Sequence, residues 1–177
     1  VEPFFRTLDA FCPFDRFREM LLKPQNFTNA PEKIFESAVA WLLSLAGFNT
    51  IYLGANTKST KINFDVLRKN DKYQIGSADI IAYDENRKLL LADCDIGGIN
   101  EQKIEKLVDA RDHIKGLCNC GELEIVPVLF SPKIFEEASK NKAVAIVDGS
   151  VISNILEEIA KGDRESARSK ISVNSRW

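Results

Sequence analysis

The sequence predicts an α/β domain in which helices flank a mixed central sheet. Three observations predict it. Residues 32–46 carry apolar side chains on almost every helical face, as in a helix buried on most sides. Residues 77–83 and 88–96 are apolar runs joined by the short polar link Asp84-Glu85-Asn86-Arg87, which predicts an antiparallel hairpin. After residue 100, helical and strand patterns alternate, which argues for parallel crossovers.

The elements follow in order. Phe4, Phe5, Phe11, Phe14, Phe17 and Phe27 crowd the first thirty residues, punctuated by Pro3, Pro13 and Pro24. Phe14, Phe17 and Leu21 at helical spacing predict one short helix from Asp15 to Lys23. Thr28 or Asn29 is the expected cap of the next helix, with Pro31 in its first turn and Gly47 just past its end. Ile34, Phe35, Ala38, Val39, Trp41, Leu42, Leu43 and Leu45 make that helix apolar, and Glu36 is the charged residue in its middle. Strands are expected at 49–53, 77–83 and 88–96, with one more near 62–67. A helix over 100–115 follows, then strand 124–130, helix 132–140, strand 143–147 and helix 151–161. The expected organisation is a Phe-rich extension or end of an upstream domain over 1–30, a domain over 31–162 and a polar tail over 163–177.

Composition bounds the partners. The chain has 177 residues, 28% charged and 45% hydrophobic, with a net charge of -2. That length suits one domain able to bury about 70% of its unfolded surface without disulfides or metals. No apolar run approaches the roughly 18 residues of a membrane span. The stretch from Ala38 to Phe48 is interrupted by Ser44 and Gly47. No basic start followed by an apolar core marks a signal peptide. The expectation is a mature cytoplasmic (or nucleoid-associated) protein, or a fragment of a longer one, with no membrane partner. Near-neutral charge argues against a generally basic nucleic-acid binder.

Cysteine and histidine counts narrow the chemistry. Cys12, Cys94, Cys118 and Cys120 are expected as free thiols, and the single residue between Cys118 and Cys120 does not match structural zinc spacing. His113 is the sole histidine and reads as an ordinary helix residue, so chemistry falls to carboxylates. Asp79 opens one strand, and Asp93 and Asp95 close the next. Residues two apart on a strand share a face, and the hairpin sets Asp79 near Asp93. Three carboxylates at one sheet end repel one another, and a hard divalent cation such as Mg2+ (or Mn2+) resolves that repulsion. Glu36 adds weight, because a buried charge needs a partner or a ligand. For any one of these aspartates alone, a turn cap or a solvated strand end is the simpler account.

These residues resemble a known pattern. A helix with Glu36, Leu42-Leu43 and Gly47-Phe48, then Gly76-Ser77-Ala78-Asp79-Ile80-Ile81-Ala82, then an apolar strand ending at Asp93, is similar to the PD-(D/E)XK nuclease superfamily. The similarity is greatest to its Mrr-like and Holliday-junction-resolvase-like branches. It covers roughly residues 30–162, including Val126 to Phe130, Glu136-Glu137-Ala138 and Ala143 to Gly149. The resemblance implies a restriction-endonuclease-like fold and a metal-dependent DNA endonuclease that hydrolyses phosphodiester bonds through a Mg2+-activated water. It implies Asp79 and Asp93 as metal ligands, Glu36 as an orienting residue, and possible dimerisation. The sequence departs from the pattern at one position: the family lysine falls on Asp95. Asp95 could be a further ligand or base, a lysine could reach in from the next helix as Lys103 or Lys106, or the domain could be inactive and kept for binding DNA or protein.

Charge placement bears on the same question. Lys58, Lys61, Arg68, Lys69 and Lys72 precede Asp79, and Lys103, Lys106, Arg111 and Lys115 follow Asp93. Phosphate contacts from such groups give salt-sensitive DNA binding. Glu101, Glu105, Asp109 and Asp112 alternate with the second group, as on an ordinary solvated helix. For the interaction-module reading, the Phe-rich start is the candidate surface for a homodimer or partner domain. Asp93-Cys94-Asp95 also resembles the haloacid-dehalogenase phosphatase motif, whose first Asp is a nucleophile, although Ile96 stands where Thr or Val is usual.

Overall fold

The computed structural model describes residues 12–27, 29–53, 68–70, 73–74, 78–98, 101–118, 123–134 and 143–172. Helix α1 (Phe14–Leu22) and a 3-10 turn (Pro24–Asn26) lead into α2 (Pro31–Leu45). Strand β1 (Asn49–Tyr52), the short pair β2 (Arg68–Asn70) and β3 (Tyr73–Gln74), and the hairpin β4 (Ile80–Tyr83) and β5 (Lys88–Cys94) follow. Then come α3 (Glu101–Cys118), β6 (Glu124–Phe130), β7 (Ala145–Val147), α4 (Gly149–Lys161) and α5 (Arg164–Ser172).

The central sheet has five strands in the order β1-β4-β5-β6-β7. The β1-β4 and β4-β5 pairs are antiparallel, and β5-β6 and β6-β7 are parallel. The sheet is therefore mixed and the domain α/β, as the sequence predicts. Asp84 makes the hairpin turn: its Oδ1 accepts from the amides of Asn86 (2.9 Å) and Lys88 (3.0 Å), a side chain standing in for a backbone turn. Two cores form, one on each face of the sheet. Ile80, Ala82, Leu90 and Ala92 pack with α1, α2, α4 and α5. Leu91, Ile125 and Leu129 pack with Ile104, Leu107 and Ala110 of α3.

Several local expectations need correction. The cap of α2 is Ala30, in the left-handed region at φ 55°, with no side-chain cap bond, rather than Asn29 or Thr28. Pro31 at the first helical position disfavours right-handed backbone at the residue before it. Trp41 is 44% exposed, so α2 is open on that side. Within the expected polar tail, residues 164–172 form a helix, and Ala167 and Ile171 of this α5 are fully buried in the larger core. Arg168 of α5 donates to the carbonyls of Ala46 and Gly47 and lies over the Phe48 ring at 5.6 Å, closing the end of α2. The expected strand near 62–67 and most of the expected helix over 132–140 lie outside the described residues. Ile171→Ala is expected to cost about 2–4 kcal/mol, read as a lower urea midpoint at unchanged slope. A loss under about 0.5 kcal/mol would mean that α5 does not stay packed.

Candidate carboxylate and lysine site

The hairpin register builds the centre. The Asp79 amide donates to Ala92 O at 2.8 Å, and Ile80 pairs with Ala92, so Asp79 stands beside Asp93. Asp93 is 3% exposed. The amide of Cys94 donates to Asp79 Oδ2 and to Asp93 Oδ1, both at 2.8 Å. The neighbouring Asp93 carboxylate disfavours a second negative charge on Asp79. Burial first, then the bond to Asp93 and its charge, pushes the Asp79 pKa up to about 8.

Lys103 enters from the first turn of α3. Its Nζ donates to Cys94 O at 2.7 Å and to Asp93 Oδ1 at 3.3 Å, and lies 3.7 Å from Asp95 Oδ2. Burial alone would lower the lysine pKa, but the Asp93 and Asp95 carboxylates outweigh it and hold it above the ordinary value. A cation in the first turn of a helix opposes the helix dipole. The carboxylates supply what the helix does not, and a locally unfavourable residue held by tertiary partners is a mark of a functional site.

Asp95 follows the last residue of β5, and its amide extends the ladder to Phe130 O at 2.9 Å. Its Oδ1 accepts from the amides of Gly97 (2.7 Å) and Gly98 (3.2 Å). Lys133 then ties Gly97 O from the loop after β6.

Glu36 comes from the opposite layer. It is 4% exposed in the middle of α2, and Tyr52 Oη donates to its Oε2 at 2.9 Å. Burial first, and that bond second, raise the Tyr52 pKa to about 12. Sequence reasoning missed Tyr52, because only the packing of β1 against α2 brings these two residues together.

All five candidate residues, Glu36, Asp79, Asp93, Asp95 and Lys103, line one cleft of about 650 Å3 between the first turns of α2 and α3. Lys33 and Lys106 also line it, the first unforeseen. The side chains of Lys58, Lys61, Arg68, Lys69 and Lys72 lie outside the described residues, and Arg111 bonds Asp112. Cys12 and Cys94 are free thiols, and burial raises the pKa of Cys94 well above its usual value. Among the described residues, no three His, Cys, Asp or Glu side chains form a ready metal cluster. No described helix is long and apolar enough to cross a membrane.

The fold and site thus define an α/β domain carrying a buried Asp93, a half-buried Asp79 and a lysine at one sheet end. No family model matches the chain, and no curated protein matches it. Among solved structures it is similar to the small subunit of the heterodimeric restriction endonuclease R.BspD6I, at 13% identity and a TM-score of 0.42. The match covers 90% of this chain and 97% of that one. A likeness of that size assigns neither family nor activity.

Proposed function

We propose that this chain is a metal-dependent nuclease domain that hydrolyses phosphodiester bonds of DNA. The observation that supports it is the half-buried Asp79 beside the buried Asp93, with the Lys103 ammonium paired to Asp93, in an open cleft at the end of a mixed sheet. The donor set fits Mg2+ or Mn2+. Such ions take hard oxygen ligands, and Mg2+ commonly uses one or two carboxylates, keeping its other positions for water and phosphate. Two carboxylates therefore suffice without a third side chain, and a cation would offset the repulsion that Asp93 exerts on an ionised Asp79. A bound cation would supply Lewis-acid stabilisation of the charge that builds on the phosphate.

The protein's own groups do the rest. Asp79 and Asp93 would hold the cation. Lys103, fixed beside Asp93, offers positive charge to the developing oxyanion. Glu36, held by Tyr52, orients water or takes its proton. Lys33 and Lys106 meet neighbouring phosphates. Plasmid DNA with the native chain and Mg2+ or Mn2+ is expected to convert to nicked or linear forms, and none to form with EDTA. Absence of cleavage across both metals would sink the reading.

One observation favours a second reading. Lys103 pairs with Asp93 at 3.3 Å, so a protein group already balances one of the two carboxylates. An inactive domain kept for binding DNA or protein would look the same. Calorimetry separates them: heat from Mn2+ binding supports the nuclease, and its absence together with a stable complex supports the binding module.

A further inference from the structure

We propose that Asp95 is a positioning residue that holds the Lys103 ammonium in the cleft. The inference rests on the nuclease reading only for the reaction Lys103 would serve; the contact itself stands apart from it.

The geometry divides Asp95 between two tasks. Oδ1 accepts the Gly97 and Gly98 amides, which fixes the chain as it leaves β5. Oδ2 faces the Lys103 ammonium. The side chain is 15% exposed, so this pairing is screened less than a surface one. The turn demands its sequence. Gly98 sits at φ +128°, which side chains rarely adopt, and a Cβ on Gly97 would lie 3.1 Å from Asp95 Oδ1. The turn also presents the last carbonyl of β5, Cys94 O, to the same ammonium at 2.7 Å. Lys103 is therefore held by three consecutive residues: the side chain of Asp93, the carbonyl of Cys94 and the side chain of Asp95. A lysine at 95 would lose the turn and repel Lys103, so an acid at 95 and a lysine at 103 form one unit.

The test separates the tasks. Asp95→Asn keeps an oxygen acceptor for the two glycine amides and removes the charge facing Lys103. Asp95→Glu restores the charge. On the full chain without metal, the rate of Lys103 acylation by an amine reagent at one fixed pH reports how tightly the ammonium is held. Hydrogen exchange at Gly97 and Gly98 reports the turn. Asp95→Asn is expected to speed acylation by about threefold or more, because a charge-assisted contact is lost, while exchange at the glycines stays near native. Asp95→Glu is expected to bring acylation back towards the native rate. Unchanged acylation in Asp95→Asn overturns the proposal.

If the native chain cuts DNA, Asp95→Asn is also expected to lower kcat by about tenfold, with KM within about twofold, since a misplaced lysine weakens the transition state rather than substrate binding. An unchanged kcat overturns the role. If the native chain cuts nothing, the nuclease reading falls and acylation alone decides what Asp95 does.

Discussion

Asp79→Ala and Asp93→Ala are each expected to lower Mg2+-dependent DNA cleavage by about a thousandfold or more. With two carboxylates as the protein's ligands, losing one halves the fixed charge that can hold the cation. Loss of a single preorganised group at a developing charge already costs about a hundred- to a thousandfold. The two variants differ in a way that checks the geometry. Asp79→Ala leaves the Cys94 amide bonded to Asp93 Oδ1, and leaves Lys103 its contacts with Asp93, Cys94 and Asp95. It is expected to fold normally and lose Mn2+ binding in calorimetry. Asp93→Ala also removes the 3.3 Å partner of Lys103, so the ammonium is left with Cys94 O and Asp95. It is expected to lose stability as well as cleavage. Native-level cutting by Asp79→Ala would remove the carboxylate pair from the reaction.

The metal-free protein is expected to lose stability as pH rises from about 4 to about 8, and Asp79→Asn to flatten that fall. Folded, Asp79 keeps its proton to about pH 8; unfolded, it releases it near its ordinary 3.8. Between those values the native state binds more protons than the unfolded chain, so stability declines with pH. Below pH 4 both states are protonated, and the contribution is fully present. An amide at position 79 reproduces the neutral form: its oxygen can accept from Cys94 and its nitrogen can donate to Asp93. Asp79→Asn is therefore expected to gain about 1–3 kcal/mol over the native chain at pH 8 and almost nothing at pH 4. Urea unfolding in EDTA at pH 4, 6 and 8 measures the difference, and subtracting native from variant removes the other titrating groups. A variant no more stable than the native chain at pH 8 would mean that the pair is ionised and solvated.

What could be read from the sequence followed its periodicities. The four-residue polar link at 84–87 fixed an antiparallel hairpin, and the hairpin fixed Asp79 beside Asp93. Glu36 stood out because its helix is otherwise apolar, and it is buried in the cleft. Spacing alone leaves Lys103 and Lys106 as alternatives, and only the approach of α3 to the end of β5 distinguishes them: Lys103 bonds Cys94 O and Asp93, while Lys106 lies on the cleft wall. The role of Tyr52 was hidden, because its partner lies 16 residues away on an element of another type. α5 was hidden for a different reason. Its buried stripe is Ala167 and Ile171, one helical turn apart, too short a pattern to separate from a polar tail.

The clamp that Arg168 places on the end of α2 has a consequence for how the molecule is made. Its guanidinium bonds Ala46 O and Gly47 O across 122 and 121 residues. On a ribosome, synthesis proceeds from the N-terminus at about 5–20 residues per second. The helix that carries Glu36 therefore emerges early and waits several seconds before the residue that closes its end exists. A nascent chain stopped short of α5 has its hairpin and carboxylates but an unclasped α2, with the apolar surface that Ala167 and Ile171 cover still bare. Closure of the end of α2 therefore waits for the synthesis of α5.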